Sequence, residues 1–399
     1  MRLLIVHNTL WAHYKSLLFS QLANQLTPPD TMLVLQIALT EGNRQGLGVP
    51  DPATVGYPFE LLHPGTLDSL PTPQRIVRVV RAGWAYRPDV VLLTGYYDPA
   101  QLLLGLLLKL RGCRVVLQSE STALDNPRTG WRESLKKAFV RLCDGFFCFG
   151  TRAADYLIQL GANPARIRVR NNAVVDNDLL KRTFDQAWPD RQARQAALGL
   201  PPNNLIYVGR LAEEKNLRQL LNCFAQAQRA ANATDWGLIL LGEGPQKAAL
   251  QADVTRLGLT ASVHFLPGCP WTEVPTYLAL ADALVLPSLS EPWGLVVNEA
   301  MACGLPVLVS DRCGCAVDLI TEGQNGYTFP PAEPAELTHQ LIQLMTLPVN
   351  SLQQMGEASQ RRIAHWAPGP VGQAMYLEMK RLADPTAATA LPQPHQRDL

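Results

Sequence analysis

Short apolar runs alternate with stretches of helical periodicity along almost the whole chain, and few folds tolerate that pattern. In the first half, Leu3–His7, Met32–Ala38, Val90–Gly95, Arg114–Glu120, Gly145–Gly150 and Ile167–Asn172 read as strands. Between them, Trp11–Leu26, Pro73–Ala85, Asp98–Arg111, Trp131–Leu142 and Arg152–Leu160 read as helices. Parallel strands need a crossover of about a dozen residues, and these helices supply it. The second half repeats the alternation with LIYVGR, WGLILLGEG, SVHFLPG, ADALVLPS and PVLVSD as strands. The expected class is α/β, with two doubly wound, Rossmann-like domains facing across a cleft.

The predicted domains are residues 1–172 and 203–365. Residues 173–202 are polar with one helix-like stretch, close on Pro-Pro and read as a linker. Residues 366–383 read as a final helix returning to the N-terminal domain, and residues 384–399 as a disordered Pro/Ala/Thr/Gln tail. At 399 residues there is chain enough for two cores. Residues 1–182 hold 21 Lys/Arg against 14 Asp/Glu, and residues 183–399 hold 14 against 20. The basic front half fits either an anionic partner or an ordinary solvated surface. Eight cysteines stand without CxxC pairing, which argues against a zinc site or a disulfide scaffold. RLLIV after Met1 is a strand rather than a signal peptide, so a cytoplasmic location is expected.

The chemistry concentrates in the second half. In IYVGRLAEEKNL a strand ends at Gly209, Arg210 follows, and Lys215 stands near a helix start. A guanidinium and an ammonium beside a helix N-terminus suit a diphosphate, although a solvated loop would also carry them. Gly242 in LLGEGPQ and Gly268 in FLPGCP add two more strand-end turns. A glycine there lets a ligand approach the backbone. The run SLSEPWGLVVNEAMACGLPVLVSD puts Glu291 in a loop and Glu299 eight residues later, inside a helix beginning near Leu295. The N–H groups from Gly294 through Leu295 to Val296 are first-turn donors with no helical acceptor, free to hold phosphate oxygens. Two capping carboxylates are the plainer alternative.

GR-x4-K followed by E-P-x-G-L-x-x-x-E-A-M-A-x-G-x-P-V resembles the retaining GT-B glycosyltransferases of family 4, with their E-x7-E motif. The resemblance is specific from about Leu205 to Phe329 and looser before it. It implies that Arg210 and Lys215 neutralise the diphosphate of a nucleotide sugar, that Glu299 holds the ribose, and that Glu291 holds hydroxyls of the transferred hexose. It implies no cofactor and no metal, the basic pair serving the leaving group, and domain closure that keeps water out. The loop SDRCGCAVDL departs from the family pattern, with Cys313 and Cys315 around Gly314.

In the first half, HNTLWAHYKSLLF has no glycine between His7 and Phe19. Asn8 and His13 there are candidates for an acceptor or the diphosphate, His13 being equally readable as packed or solvated. Glu120, in QSES, reads as a contact to the acceptor hydroxyl or sugar, or as part of a helix cap. Arg75, Arg78 and Arg81 step along one helix, and Arg132, Lys136, Lys137 and Arg141 lie on another. They suggest peripheral contact with the inner face of a membrane, or a solvated face over an apolar stripe. The expected partners are a nucleotide-sugar donor and a glycan or lipid-linked acceptor in envelope glycan synthesis, with no nucleic acid. The rival from another class is a non-catalytic nucleotide-sugar-binding or scaffold subunit.

Overall fold

The computed structural model describes residues 1–10, 12–42, 52, 55–123 and 131–384. These divide into two compact units. One comprises Met1–Val174 with the chain from Trp366 onward, the other Val175–His365.

Among the described residues the first unit holds seven strands: β1 (Arg2–Thr9), β2 (Thr31–Ala38), β3 (Phe59–Leu61), β4 (Val90–Leu93), β5 (Arg114–Ser119), β6 (Gly145–Cys148) and β7 (Ile167–Val169). They form one parallel sheet in the order β3-β2-β1-β4-β5-β6-β7. Every residue of β4 and β6 is buried, as expected of strands covered on both faces. β3 escaped the sequence reading because it has only three residues just after Pro58, none of them buried. The second unit holds six: β8 (Asn203–Val208), β9 (Trp236–Leu241), β10 (Val263–Leu266), β11 (Ala283–Leu286), β12 (Val307–Ser310) and β13 (Gly326–Phe329). They too are all parallel, ordered β10-β9-β8-β11-β12-β13. Strand order reverses between β1 and β4 in one sheet and between β8 and β11 in the other. Such switch points leave a crevice at the carboxyl ends of the strands.

The stretch 173–202, read as a linker, is structured. Asn177–Ala187 and Arg191–Leu198 are helices joined by a short 3-10 turn, and both belong to the second unit. Asp176 caps the first by accepting from the Leu179 N–H at 2.9 Å. The polar residues that suggested a linker anchor the second: Arg191 pairs with Asp282 at 2.7 Å, and Gln195 donates to the Leu280 carbonyl at 3.0 Å. Sequence composition cannot tell a polar side chain facing solvent from one satisfying a buried carbonyl.

The last helix, Pro368–Ala383, packs on the first unit, its Val371, Met375 and Met379 sharing a core with Leu18, Phe19 and Leu22. From residue 385 on, the predicted tail lies outside the described residues, as does Trp11 of the first predicted helix. Among the described residues no helix is long and apolar enough to cross a membrane.

Candidate functional site

Two groups of side chains gather at the two switch points. In the second unit the chain leaves β8 through Gly209, passes Arg210, and makes a 3-10 turn over Glu213–Lys215 before the helix Leu217–Ala230. Leaving β11, it passes Glu291 and enters the helix Leu295–Ala302. Because β8 and β11 are neighbours, Lys215 and Glu291 meet as an ion pair, both largely buried. Arg210 is 72% exposed and pairs with Glu214 at 2.5 Å.

The helix Leu295–Ala302 has no side-chain cap, and Gly294 before it has φ of 98°, a left-handed conformation that suits glycine. Among the described residues, the N–H groups of Gly294, Leu295 and Val296 have no hydrogen-bond acceptor. Three donors thus converge at a positive helix end, beside the Lys215–Glu291 pair. Glu299 is buried one turn further on. No hydrogen bond or ion pair reaches its carboxyl among the described residues, and burial pushes it up to about 8.

The loop that departs from the family pattern builds this turn. Glu291 bridges Cys313, the Gly314 N–H donates to the Glu291 carbonyl at 2.9 Å, and the Cys315 N–H donates to the Trp293 carbonyl at 3.1 Å. A Cβ on Gly314 would stand 1.8 Å from the Pro292 carbonyl oxygen, so glycine is required there. Cys313 and Cys315 are buried and not joined in a disulfide, and no group of side chains among the described residues is arranged to hold a metal ion.

Two of the strand-end glycines are crowded by the protein itself. A Cβ on Gly242 would fall 2.0 Å from the Gly209 carbonyl oxygen, and one on Gly209 would fall 2.8 Å from the Tyr207 hydroxyl. Gly242 is thus packed against the backbone of the adjoining turn, and Gly209 against a side chain of its own strand. Gly268 leaves room for an added Cβ, its nearest neighbour being the Gly242 Cα at 3.8 Å.

In the first unit the ends of β1, β4 and β5 enclose a cavity of about 230 Å³. Asn8 and Glu120 line it, whereas His13 does not. Glu120 pairs at 2.6 Å with Lys15, which is buried against the face of Phe149. Burial presses Lys15 down, and Glu120 opposes this. The sequence reading missed His7, Gln101, Gln118 and Ser119 on the same wall. Their signal was there, as polar residues closing otherwise apolar strands or sitting on a leucine-rich helix, but nothing in the chain order shows that they meet.

Two doubly wound α/β units define the GT-B fold. The chain aligns with solved HepE from Anabaena in complex with UDP, at TM-score 0.74 and 19% identity over 95% of this chain and 100% of that one. Sucrose-phosphate synthase from Thermosynechococcus elongatus aligns at 0.73 and 18%, covering 96% and 99%. Residues 190–362 match the family Glycosyl transferases group 1, and residues 33–177 match Glycosyltransferase Family 4. The chain belongs to these family 4-type glycosyltransferases. A D-inositol 3-phosphate glycosyltransferase from Streptomyces bingchenggensis is 29% identical over 234 residues, 56% of this chain and 50% of its own. A glycogen synthase from Mycobacterium tuberculosis is 30% identical over 213 residues, 53% and 50%. The chain spans about half the length of these curated relatives.

Proposed function

We propose that this protein is a retaining glycosyltransferase that moves a hexose from a nucleotide-diphosphate sugar, UDP- or GDP-linked, to an acceptor hydroxyl in glycan synthesis. The observation that carries the reading is the open helix start at Gly294–Val296, placed beside Lys215 and Glu291 with the unpartnered Glu299 behind it. The N–H groups and Lys215 take the diphosphate, joined by Arg210 once its exposed side chain swings off Glu214. Charge developing on the leaving diphosphate is then met by fixed donors, which is the largest lever available to such a site. Glu299 accepts from the ribose hydroxyls, and Glu291 from hydroxyls of the transferred ring. Glu291 is engaged by Lys215 and so is not presented as a free nucleophile, which favours attack from the face the diphosphate leaves. No metal or cofactor enters this scheme. The cavity of the first unit holds the acceptor, with Asn8 and Glu120 on its wall and His13 outside it.

The test is a thermal-shift panel of UDP, GDP and ADP with their sugars, on the wild type and Glu299→Ala. One nucleotide raising the melting temperature in the wild type and losing its effect in the variant is expected; UDP comes first, since solved HepE holds it. No shift from any nucleotide in folded protein moves the non-catalytic scaffold ahead.

Peripheral membrane contact belongs to the same proposal, resting on exposed apolar side chains rather than on the basic residues first read for it. Arg75 is held by Asp98 at 2.9 Å, Arg78 by the Leu62 carbonyl at 2.8 Å, and Lys136 by Glu133 at 3.1 Å. The helix Pro99–Leu110, by contrast, presents a stripe of exposed Leu103, Leu106 and Leu110, with exposed Trp84 under Arg111 nearby. Leucine and tryptophan edged by arginine suit an anionic bilayer. Co-sedimentation with phosphatidylglycerol vesicles, absent with phosphatidylcholine and lost in Leu106→Glu, is expected; equal recovery of the variant removes the contact.

A further inference from the structure

The cavity of the first unit holds more hydrogen-bonding capacity than the protein uses, and three of the unused atoms are pure acceptors. Gln118 is 1% exposed, and neither its amide oxygen nor its amide nitrogen has a partner. Gln101 is fully buried; it donates its Nε2 to the Asn8 Oδ1 at 2.7 Å and leaves its Oε1 bare. Thr94 donates its hydroxyl hydrogen to the Val6 carbonyl at 3.1 Å, so it must accept from the His7 Nδ1–H at 2.7 Å. His7 Nε2 is then a lone pair, buried and without a partner. Burial, with Lys15 second, pushes His7 down to about 3, so the ring stays neutral. Ser119 adds a buried hydroxyl that is also unused.

The Tyr96 hydroxyl is buried and unpartnered as well. Buried polar groups are almost always satisfied, so five such residues lining one cavity call for a ligand. The wall requires a ligand that donates. Gln101 Oε1, Gln118 Oε1 and His7 Nε2 can only accept. Glu41, Asp98 and Glu120 add carboxylates, the last two paired with Arg75 and Lys15 behind the surface, and among the described residues no Lys or Arg lines the cavity itself. A sugar hydroxyl donates to such groups; a phosphate or carboxylate offers only acceptors and negative charge. The volume of about 230 Å³ lies below the roughly 300–1,000 Å³ of drug-sized sites, which suits one ring rather than a chain. Tyr97, exposed and beside Tyr96 with ring centroids 4.6 Å apart, gives that ring an aromatic surface to lie on.

We infer that this cavity takes an uncharged polyhydroxylated ring as acceptor and turns away phosphorylated or carboxylated ones, with Gln118, Gln101 and His7 reading its hydroxyls. The inference rests on the acceptor half of the proposed function and narrows it to a chemical class.

Saturation-transfer NMR on the full chain tests it, pairing glucose, galactose and myo-inositol with their phosphate monoesters. At least one neutral ring should bind, and its phosphate monoester should bind about tenfold more weakly or worse. Gln118→Leu, of nearly the same size, should weaken the neutral ring about tenfold. Ser119→Ala provides a second variant should Gln118→Leu fail to fold. Binding of the phosphate monoester as tight as that of the neutral ring overturns the inference. So does an absence of transfer from every neutral probe, or unchanged binding in the folded variants. The nucleotide thermal shift reports on the second unit separately: its loss in the wild type speaks against the donor reading, and its persistence beside a failed sugar panel speaks against this one.

Discussion

At Glu299 the fold holds a largely buried carboxylic acid with no cation paired to it among the described residues. Its pKa rises from 4.5 to about 8, because burial penalises the charged form. A folded-state value above the unfolded one means that the native chain holds the proton more tightly. The stability this contributes is complete below the unfolded value and is lost as the pH climbs toward about 8 and past it. Ribose hydroxyls donate to the ionised form, so a bound nucleotide should lower this pKa and expel about one proton near pH 7. Calorimetry in two buffers of different ionisation enthalpy measures that release, which Glu299→Gln should abolish. Tight nucleotide binding with no proton release would take Glu299 away from the ribose. Arg210, Lys215, Glu291 and Glu299 were legible in the chain because they recur at short fixed spacings beside glycines. His7, Gln101 and Gln118 were not, since each looks like an ordinary polar residue until its neighbours are known.

Among the elements, the parallel strands were the most readable, as continuous apolar runs bounded by turn residues. The helices of 173–202 were the least, because their polar atoms bond to carbonyls and carboxylates that the sequence does not reveal. The last helix shows a similar dependence on distant contacts. Met375 is fully buried in the first unit, and Gly372 is crowded, with an added Cβ only 3.1–3.3 Å from atoms of Gln21 and Leu22. Tyr376 donates to Asp30 at 2.6 Å, and Asp30 in turn holds the N-terminal ammonium at 2.6 Å. Met375→Ala should therefore destabilise the first unit by about 2–5 kcal/mol. Chemical denaturation followed with and without nucleotide should place the loss in the transition that nucleotide does not protect. A loss confined to the nucleotide-protected transition would mean that the helix serves the other unit.

For the molecule as a whole, local periodicity already carried the α/β class, the two sheets and the basic and acidic residues waiting at strand ends. These follow from nearest-neighbour effects: which residues extend, which coil, and which side is apolar. Strand order was not legible. It alone makes β8 and β11 neighbours and so joins Lys215 to Glu291 across 76 positions of chain. It also brings the ends of β1, β4 and β5 around one cavity. The crowding at Gly242 and Gly314 was hidden for the same reason, since the atoms they make room for arrive from other turns. Whether a buried amide or imidazole is satisfied depends on everything within hydrogen-bonding reach of it. Most of those neighbours are distant along the chain, and only folding brings them within about 3 Å.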